Sequence, residues 1–294
     1  MEKTTQKING KNVIKLAFSS LTDFFNVSEN GKSTLSDDNR ASRKNGDTSF
    51  FHSKSWADAV SMQKNGWPEG IRKSKKLQNK LVDMVKGKLV MQEARYQVEC
   101  DGDIDVSKYL SGVPECNVVV DEHETSLAYN NGQIITLYLE LCCNAGISSE
   151  NYILRGPALL TFVKMLEYTG RSVKIVLTLC SESFKGNKRL EIHINAKQHG
   201  QFVNDDVLAY ALMSPAFFRR HGFSIKEQME PEELKSFDIN LHGGYGRAGN
   251  KSIFIEDRPD VVSTSIKNID ISTIEGAERW LIEQLKANGI EIKD

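Results

Sequence analysis

The chain has no apolar run long enough to cross a bilayer. Its longest are under a dozen residues, against the roughly 20 that a spanning helix needs. The opening MEKTTQKINGKN holds no hydrophobic stretch of the signal-peptide kind, which points away from secretion. An excess of either charge is also missing. With 38 Lys and Arg against 39 Asp and Glu the net charge is −1. The whole molecule therefore sets up no strong field towards nucleic acid or membrane, and any such attraction has to come from a local patch. Cysteine is sparse: Cys100, Cys116, Cys142, Cys143 and Cys180 make no C-x-x-C pair. Those in or beside apolar runs read as reduced, buried thiols of a cytoplasmic protein. No histidine pair has the i, i+4 spacing of a helical zinc site, and no internal repeat marks a solenoid.

What is present is ordinary for a globular protein. The 294 residues, 39% hydrophobic and 26% charged, suit one large domain or a core with an extension. The densest apolar stretch is Gln133–Leu141 (QIITLYLEL). A helical pattern through Tyr168 follows, closed by Thr169-Gly170, and then Val173–Cys180 (VKIVLTLC). These uninterrupted runs fit strands covered on both faces. Leu190–Ala196 (LEIHINA) alternates and is expected to pair antiparallel with the preceding strand across the loop SESFKGNKR.

Upstream, residues 1–12 read as a frayed terminus. Val13–Val27 reads as an amphipathic helix, with apolar residues at 14, 17, 18, 21, 24 and 25. Ser28–Ser49, nearly free of apolar residues, reads as a flexible linker. A helix over Ser53–Lys64, capped by Ser53 or Ser55, stops at Asn65-Gly66. Trp67–Gly70 forms a turn, and Ile71–Lys86 is a second helix with Leu77, Leu81, Met84 and Val85 as its buried stripe. A weakly alternating strand falls at Met91–Cys100 and a strand at Asn117–Asp121, with a helical turn at Val106–Ser111 between them. Downstream, helices are expected over Val203–Met213, from Ser214-Pro215 to Gly222, and from a Ser272 or Thr273 cap to Asn288-Gly289. Strands are expected at Asp238–Leu241 and Ser252–Glu256, and a polar connection over 261–271. The pattern predicts an α/β three-layer sandwich with a mixed, mostly parallel sheet and an N-terminal helical extension. Its divisions are a flexible segment with one short helix (1–49), a basic helical hairpin (50–90) and the α/β core (91–294).

Four places hold candidate chemistry. The loop after QIITLYLEL lies beyond a strand's carboxyl end and leads into a helix N-terminus, where open α/β sheets bind ligands; Cys142 and Cys143 there are the best nucleophile candidates. The loop His242, Gly243, Gly244, Tyr245, Gly246, Arg247 could wrap an anion with backbone N–H groups, although it lacks the Lys-Ser/Thr of a phosphate loop. Arg72, Lys73, Lys75, Lys76 and Lys80, with Trp67 beside them, form a basic helix with an aromatic. Seven basic residues stand against one acidic between Ile71 and Lys88, a nucleic-acid footprint and equally the look of a solvated helix face. Among the scattered histidines, His193 alternates inside a strand.

From Gln133 to the C-terminus the order strand, loop, long helix, strand, hairpin, helices resembles the von Willebrand factor A-like fold. In that family the first strand ends in Asp-x-Ser-x-Ser, which binds a divalent metal. Asn144-Ala145-Gly146-Ile147-Ser148 stands at the matching place, with Asn for Asp and Gly for the first Ser, so only Ser148 keeps its type. A hard cation prefers carboxylate oxygen. The loop is therefore expected to be metal-free and the protein to have no cofactor, the alternative being Mg2+ or another divalent cation at Asn144, Gly146 and Ser148. Three further segments, Ser49–Gly70, Asp103–Ser126 and Ala211–Phe223 (ALMSPAFFRRHGF), resemble an uncharacterised family of tailed-bacteriophage proteins. That resemblance implies a phage-encoded protein of the infected bacterial cytoplasm. The combined expectation is a non-catalytic adaptor that binds a protein partner, with single-stranded DNA or RNA binding in replication or transcription as the alternative and no membrane partner.

Overall fold

A computed structural model describes residues 1–33, 35–44, 48–86, 94–97, 103–114, 116–120, 134–142, 149–183, 185–201, 205–237, 239, 241, 245–249, 252–255, 260–265, 273–290 and 292. The amino-terminal elements are β1 (Glu2–Ile8), β2 (Lys11–Phe18), α1 (Leu21–Asn30), α2 (Thr48–Phe51), α3 (Trp56–Asn65) and α4 (Pro68–Lys86). A small middle unit follows: β3 (Ala94–Gln97), β4 (Asp103–Ile104), α5 (Val106–Leu110) and β5 (Asn117–Val120). Then come β6 (Ile134–Glu140), α6 (Ser149–Tyr168), β7 (Ser172–Glu182), β8 (Lys188–Lys197) and α7 (Asp205–Met213). A π-helical turn at Phe217–Gly222 runs directly into α8 (Phe223–Glu227), followed by α9 (Pro231–Ser236), β9 (Arg247–Ala248), β10 (Val261–Ser265) and α10 (Ile274–Ala287).

The fold is an α/β sandwich around a seven-stranded mixed sheet ordered β1-β2-β8-β7-β6-β10, with β9 added to the end of β7. The β2/β8, β6/β7 and β6/β10 pairs are parallel. The β7/β8 pair is the antiparallel hairpin expected from sequence. Alternation divides the sheet. Ile14, Leu16, Phe18, Leu137, Leu139, Ile175, Leu177, Leu179, Ile192 and Ile194 point into one apolar core with residues of α1, α4, α6, α7 and α10. Tyr138, Glu140, Thr178, Cys180, Arg189, Glu191 and His193 occupy the intervening positions and share the opposite face. Over β8 that face is covered by the 252–255 segment, which is a turn and not the strand expected at Ser252–Glu256. The edge strand lies instead at β10, inside the stretch read as a polar connection. VVSTS borrows its order from β6, residue for residue, through Val261↔Thr136 to Ser265↔Glu140.

The amino terminus departs most from the sequence reading. Residues 1–12 are not frayed, and Val13–Val27 is not one helix: β1 and β2 form a hairpin joined at Asn9-Gly10. Both turn residues have positive φ, 48° and 79°. Asn-Gly accepts that conformation readily, and it matches the twist of paired strands. The strand's alternating set (14, 16, 18) runs into the helical set of α1 (21, 24, 25), and together they imitate a single helix. Ser20 separates them as the α1 cap, its Oγ accepting Asp23 N–H at 3.0 Å. The linker reading of Ser28–Ser49 is also corrected, because Ser28, Arg40 and Ser42 are buried.

The basic hairpin forms as α3 and α4. Ser55 caps the first helix, and Gly66 ends it at φ 75°. The second begins at Pro68, a turn earlier than expected, since proline is pre-set for a first helical position. It packs against α6, α7 and α10 through Leu81 and Val85. The helix opened by Ser214-Pro215 does not stop at Gly222. Its π-helical turn re-registers the chain and continues as α8. Gly222 serves there as a contact point, because a Cβ on it would sit 2.8 Å from Leu179 Cδ1 of β7. Asp238 and Asn240 of the strand expected at 238–241 lie outside the described residues, and Ile239 and Leu241 are not in a strand. Thr273 caps α10, accepting Gly276 N–H at 3.1 Å.

Candidate functional site

The polar face and carboxyl edge of the sheet gather the chemically able side chains. Glu140, the last residue of β6, is 1% exposed. Its carboxylate accepts Cys142 N–H (2.9 Å), Cys180 N–H (3.1 Å) and the Thr178 hydroxyl (2.9 Å). Burial outweighs these donors and pushes it up to about 7. The Cys180 thiol beside it is held well above its ordinary value by burial and by Glu140 and Glu191. It therefore stays protonated and is a poor nucleophile.

Next along the sheet, Glu191 accepts Ile253 N–H at 3.0 Å and the Ser252 hydroxyl, forms an ion pair with Arg189 (Nε at 2.5 Å), and faces His193 Nε2 at 2.8 Å. Ser252 Oγ lies 3.2 Å from the same His193 nitrogen. In a hydrolytic triad the acid and the serine take opposite ring nitrogens. Here both use Nε2, so the geometry is that of a buried network. Burial lowers the His193 pKa, and the hydrogen bond with His193 and the positive charge of Arg189 hold Glu191 low despite burial.

The helices add two more buried ionic groups. Lys226 of α8 donates to Ser181 Oγ (2.5 Å) and to the Tyr245 carbonyl (3.0 Å), and burial lowers its pKa. A serine and a lysine in contact can form a nucleophile and its base, but here both are buried at 3% exposure. Glu227 accepts Arg40 Nε (2.9 Å), Ser42 N–H (3.0 Å), the Ser42 hydroxyl (2.5 Å) and the Tyr245 hydroxyl (2.6 Å). Arg220, fully buried, donates to Ser53 Oγ and to the carbonyls of Ser42, Lys44 and Ser53 at 2.6–3.1 Å. Its neighbour His221 meets Ser28 Oγ at 3.0 Å within a cage of Phe25, Trp56 and Tyr210. The π-helical turn FFRRHG thus clamps the stretch read as a linker, and burial pushes His221 down to about 3.

The sites expected from sequence fare differently. Asn144, Gly146 and Ser148, with Cys143, lie outside the described residues, as do His242, Gly243 and Gly244. Cys142 is buried. Tyr245, expected in an anion-binding loop, is instead a buried post with φ 62°, stacked 4.1 Å from Phe223 and bonded to Glu227. Arg247 is exposed on β9. Trp67 is corrected as a stacking residue for a base: it is 4% exposed beneath His52, 4.9 Å away. Arg72, Lys75, Lys76 and Lys80 do line the exposed side of α4, making no ion pair among the described residues, and Lys73 lies on the same helix. Among the described residues no cluster of three metal-binding side chains occurs, and no helix is long and apolar enough to cross a membrane.

Missed from sequence were Glu140, Glu191, Ser252, Lys226 and Glu227. The signal for Glu191 was in LEIHINA, whose polar residues at 191, 193 and 195 mark a second, polar face.

Fold and site together define an α/β protein with a sealed ionic core. The chain belongs to a family described only as a domain of unknown function (DUF7192), whose model matches residues 2–292. No curated protein and no solved structure matches the chain.

Proposed function

We propose that the protein is a non-catalytic adaptor that binds a protein partner. One observation carries this reading. Val106, Tyr109 and Leu110 of α5 are 63%, 61% and 78% exposed, with Ile104 at 55% and Val113 at 36% beside them. Apolar residues at i, i+3 and i+4 on a helix facing water are the usual anchors for a groove on another protein. The ionic groups at the sheet edge are engaged with one another, which suits a scaffold. The β6–α6–β7 crossover followed by the antiparallel β8 supports a von Willebrand A-like core. The resemblance of Ser49–Gly70, Asp103–Ser126 and Ala211–Phe223 to tailed-phage proteins supports action in an infected bacterial cytoplasm. Affinity capture from infected cells should return one stoichiometric partner with the parent chain and lose it with Leu110→Asp. Equal recovery with both chains would remove the role of this surface.

A second reading, single-stranded DNA or RNA binding in replication or transcription, is favoured by the exposed line of Arg72, Lys75, Lys76 and Lys80 on α4. It requires binding that weakens steeply with salt.

A further inference from the structure

At the opposite end of the sheet from Glu140, a cleft of about 400 Å3 opens between the C-terminus of α6 and the starts of β7 and α7. This lies within the usual size range of small-ligand sites. Val163 and Leu208 give it an apolar wall. Lys164, Arg171 and Lys197 bring three positive charges to its lining against the single carboxylate of Glu167. That carboxylate is already used, since Lys197 Nζ lies 2.8 Å from it.

Arg171 is a buried cation that lines this cleft beside its apolar wall. It is 5% exposed, yet no carboxylate pairs with it among the described residues. Two of its nitrogens donate to the Thr169 hydroxyl (2.8 Å) and the Asn288 carbonyl (3.1 Å), while Nε is buried with no acceptor among the described residues. Burial lowers its pKa. A buried guanidinium without a counter-charge is unfavourable unless something supplies one. Arginine is the side chain best suited to holding a carboxylate through charge-assisted hydrogen bonds, and Arg171 lines the cleft.

We propose that this cleft binds a small organic acid, its carboxylate paired with the Arg171 guanidinium and its carbon skeleton lying against Val163 and Leu208. The apolar wall selects for an organic acid over a bare inorganic anion, and the positive lining selects against the neutral analogue.

Octanoate titrated into the full chain by calorimetry is the probe, with 1-octanol and inorganic phosphate as comparisons. Octanoate should saturate one site. Octanol and phosphate should each bind at least about tenfold more weakly, and Arg171→Gln should weaken octanoate at least about tenfold, the worth of one charge-assisted hydrogen bond, while leaving octanol unchanged. No saturable octanoate binding, equal binding of phosphate or octanol, or equal octanoate affinity in Arg171→Gln would each overturn the proposal. Should that variant fail to fold, the Arg171 Nε–H resonance of the parent decides. It has to move in step with octanoate saturation, and a resonance that stays fixed while octanoate binds refutes the assignment.

Discussion

Arg220 and Arg171 are both buried, and they lie in regions of opposite character. Arg220 satisfies its guanidinium on four protein oxygens, three of them backbone carbonyls of the 42–53 stretch. Among the described residues Arg171 makes two such bonds and keeps Nε idle beside an open cleft. The same side chain organises structure in one place and leaves binding capacity unused in the other. A buried charge reports function only after its partners have been counted.

The sharpest way to break this comparison is to replace each arginine with methionine, which keeps length and removes charge. Arg220→Met leaves three carbonyls, those of Ser42 and Ser53 in buried bonds, and the Ser53 hydroxyl without their donor. At about 1–3 kcal/mol per unsatisfied buried group, partly relieved by relaxation, the loss should be about 3 kcal/mol or more. Arg171→Met removes an uncompensated charge and should change stability by about 1 kcal/mol or less, in either direction. Urea denaturation of the two variants measures both. Equal losses would show that Arg171 is as structural as Arg220.

The next effect is smaller and depends on pH. His221 is held at about 3 in the folded chain, against an ordinary 6.5. Above pH 6.5 it is neutral in both states and its contribution is fully present. As pH falls towards 3, the unfolded chain takes up a proton that the folded chain refuses, and stability drops by about 1.4 kcal/mol per pH unit. Glu140, raised to about 7, works the other way: its contribution is present below 4.5 and is lost as pH rises through 7. The informative quantity is therefore the difference between parent and His221→Gln. Urea midpoints at pH 7, 6 and 5 should show a shallower acid loss in the variant. An unchanged slope would mean that water reaches the cage around His221.

Sequence periodicity located the elements whose one face is apolar. It found α3, α4, α6, the β7/β8 hairpin and α10, because each buries a face visible as period 3.6 or as a dense run. It failed where two periods abut, as in Lys11–Asn30, where strand and helix sets join without a gap. It failed again where burial is polar. Nothing local in SENGKSTLSDDNRASRK says that Arg40 and Ser42 end beneath α8, since their partner Glu227 is 187 residues from Arg40. The ionic site was illegible for the same reason: Glu140 meets Thr178 and Cys180 through strand register, and Glu191 meets Ser252 through a loop, and spacing encodes neither. Trp67 misled because an aromatic beside lysines looks the same in sequence whether it faces water or the core.

The smallest expected effect on stability tests the part of the surface that the fold does not use. Arg72, Lys75, Lys76 and Lys80 are exposed on α4, and the helix is anchored from its other side by Leu81 and Val85, both fully buried. Changing Lys75, Lys76 and Lys80 to Glu should therefore move the urea midpoint by no more than about 0.5 kcal/mol per site. The binding consequence separates the two functional readings. If α4 tracks a nucleic-acid backbone, three reversed charges abolish a salt-dependent gel shift that the parent shows with single-stranded DNA or RNA, because each phosphate contact contributes its share of counterion release. If the exposed line is only a solvated helix face and contact runs through α5, the triple variant captures the same protein partner as the parent, while Leu110→Asp does not. A triple variant that unfolds would contradict the view that this face carries no structural role, and α4 would then join Arg220 on the structural side of the comparison.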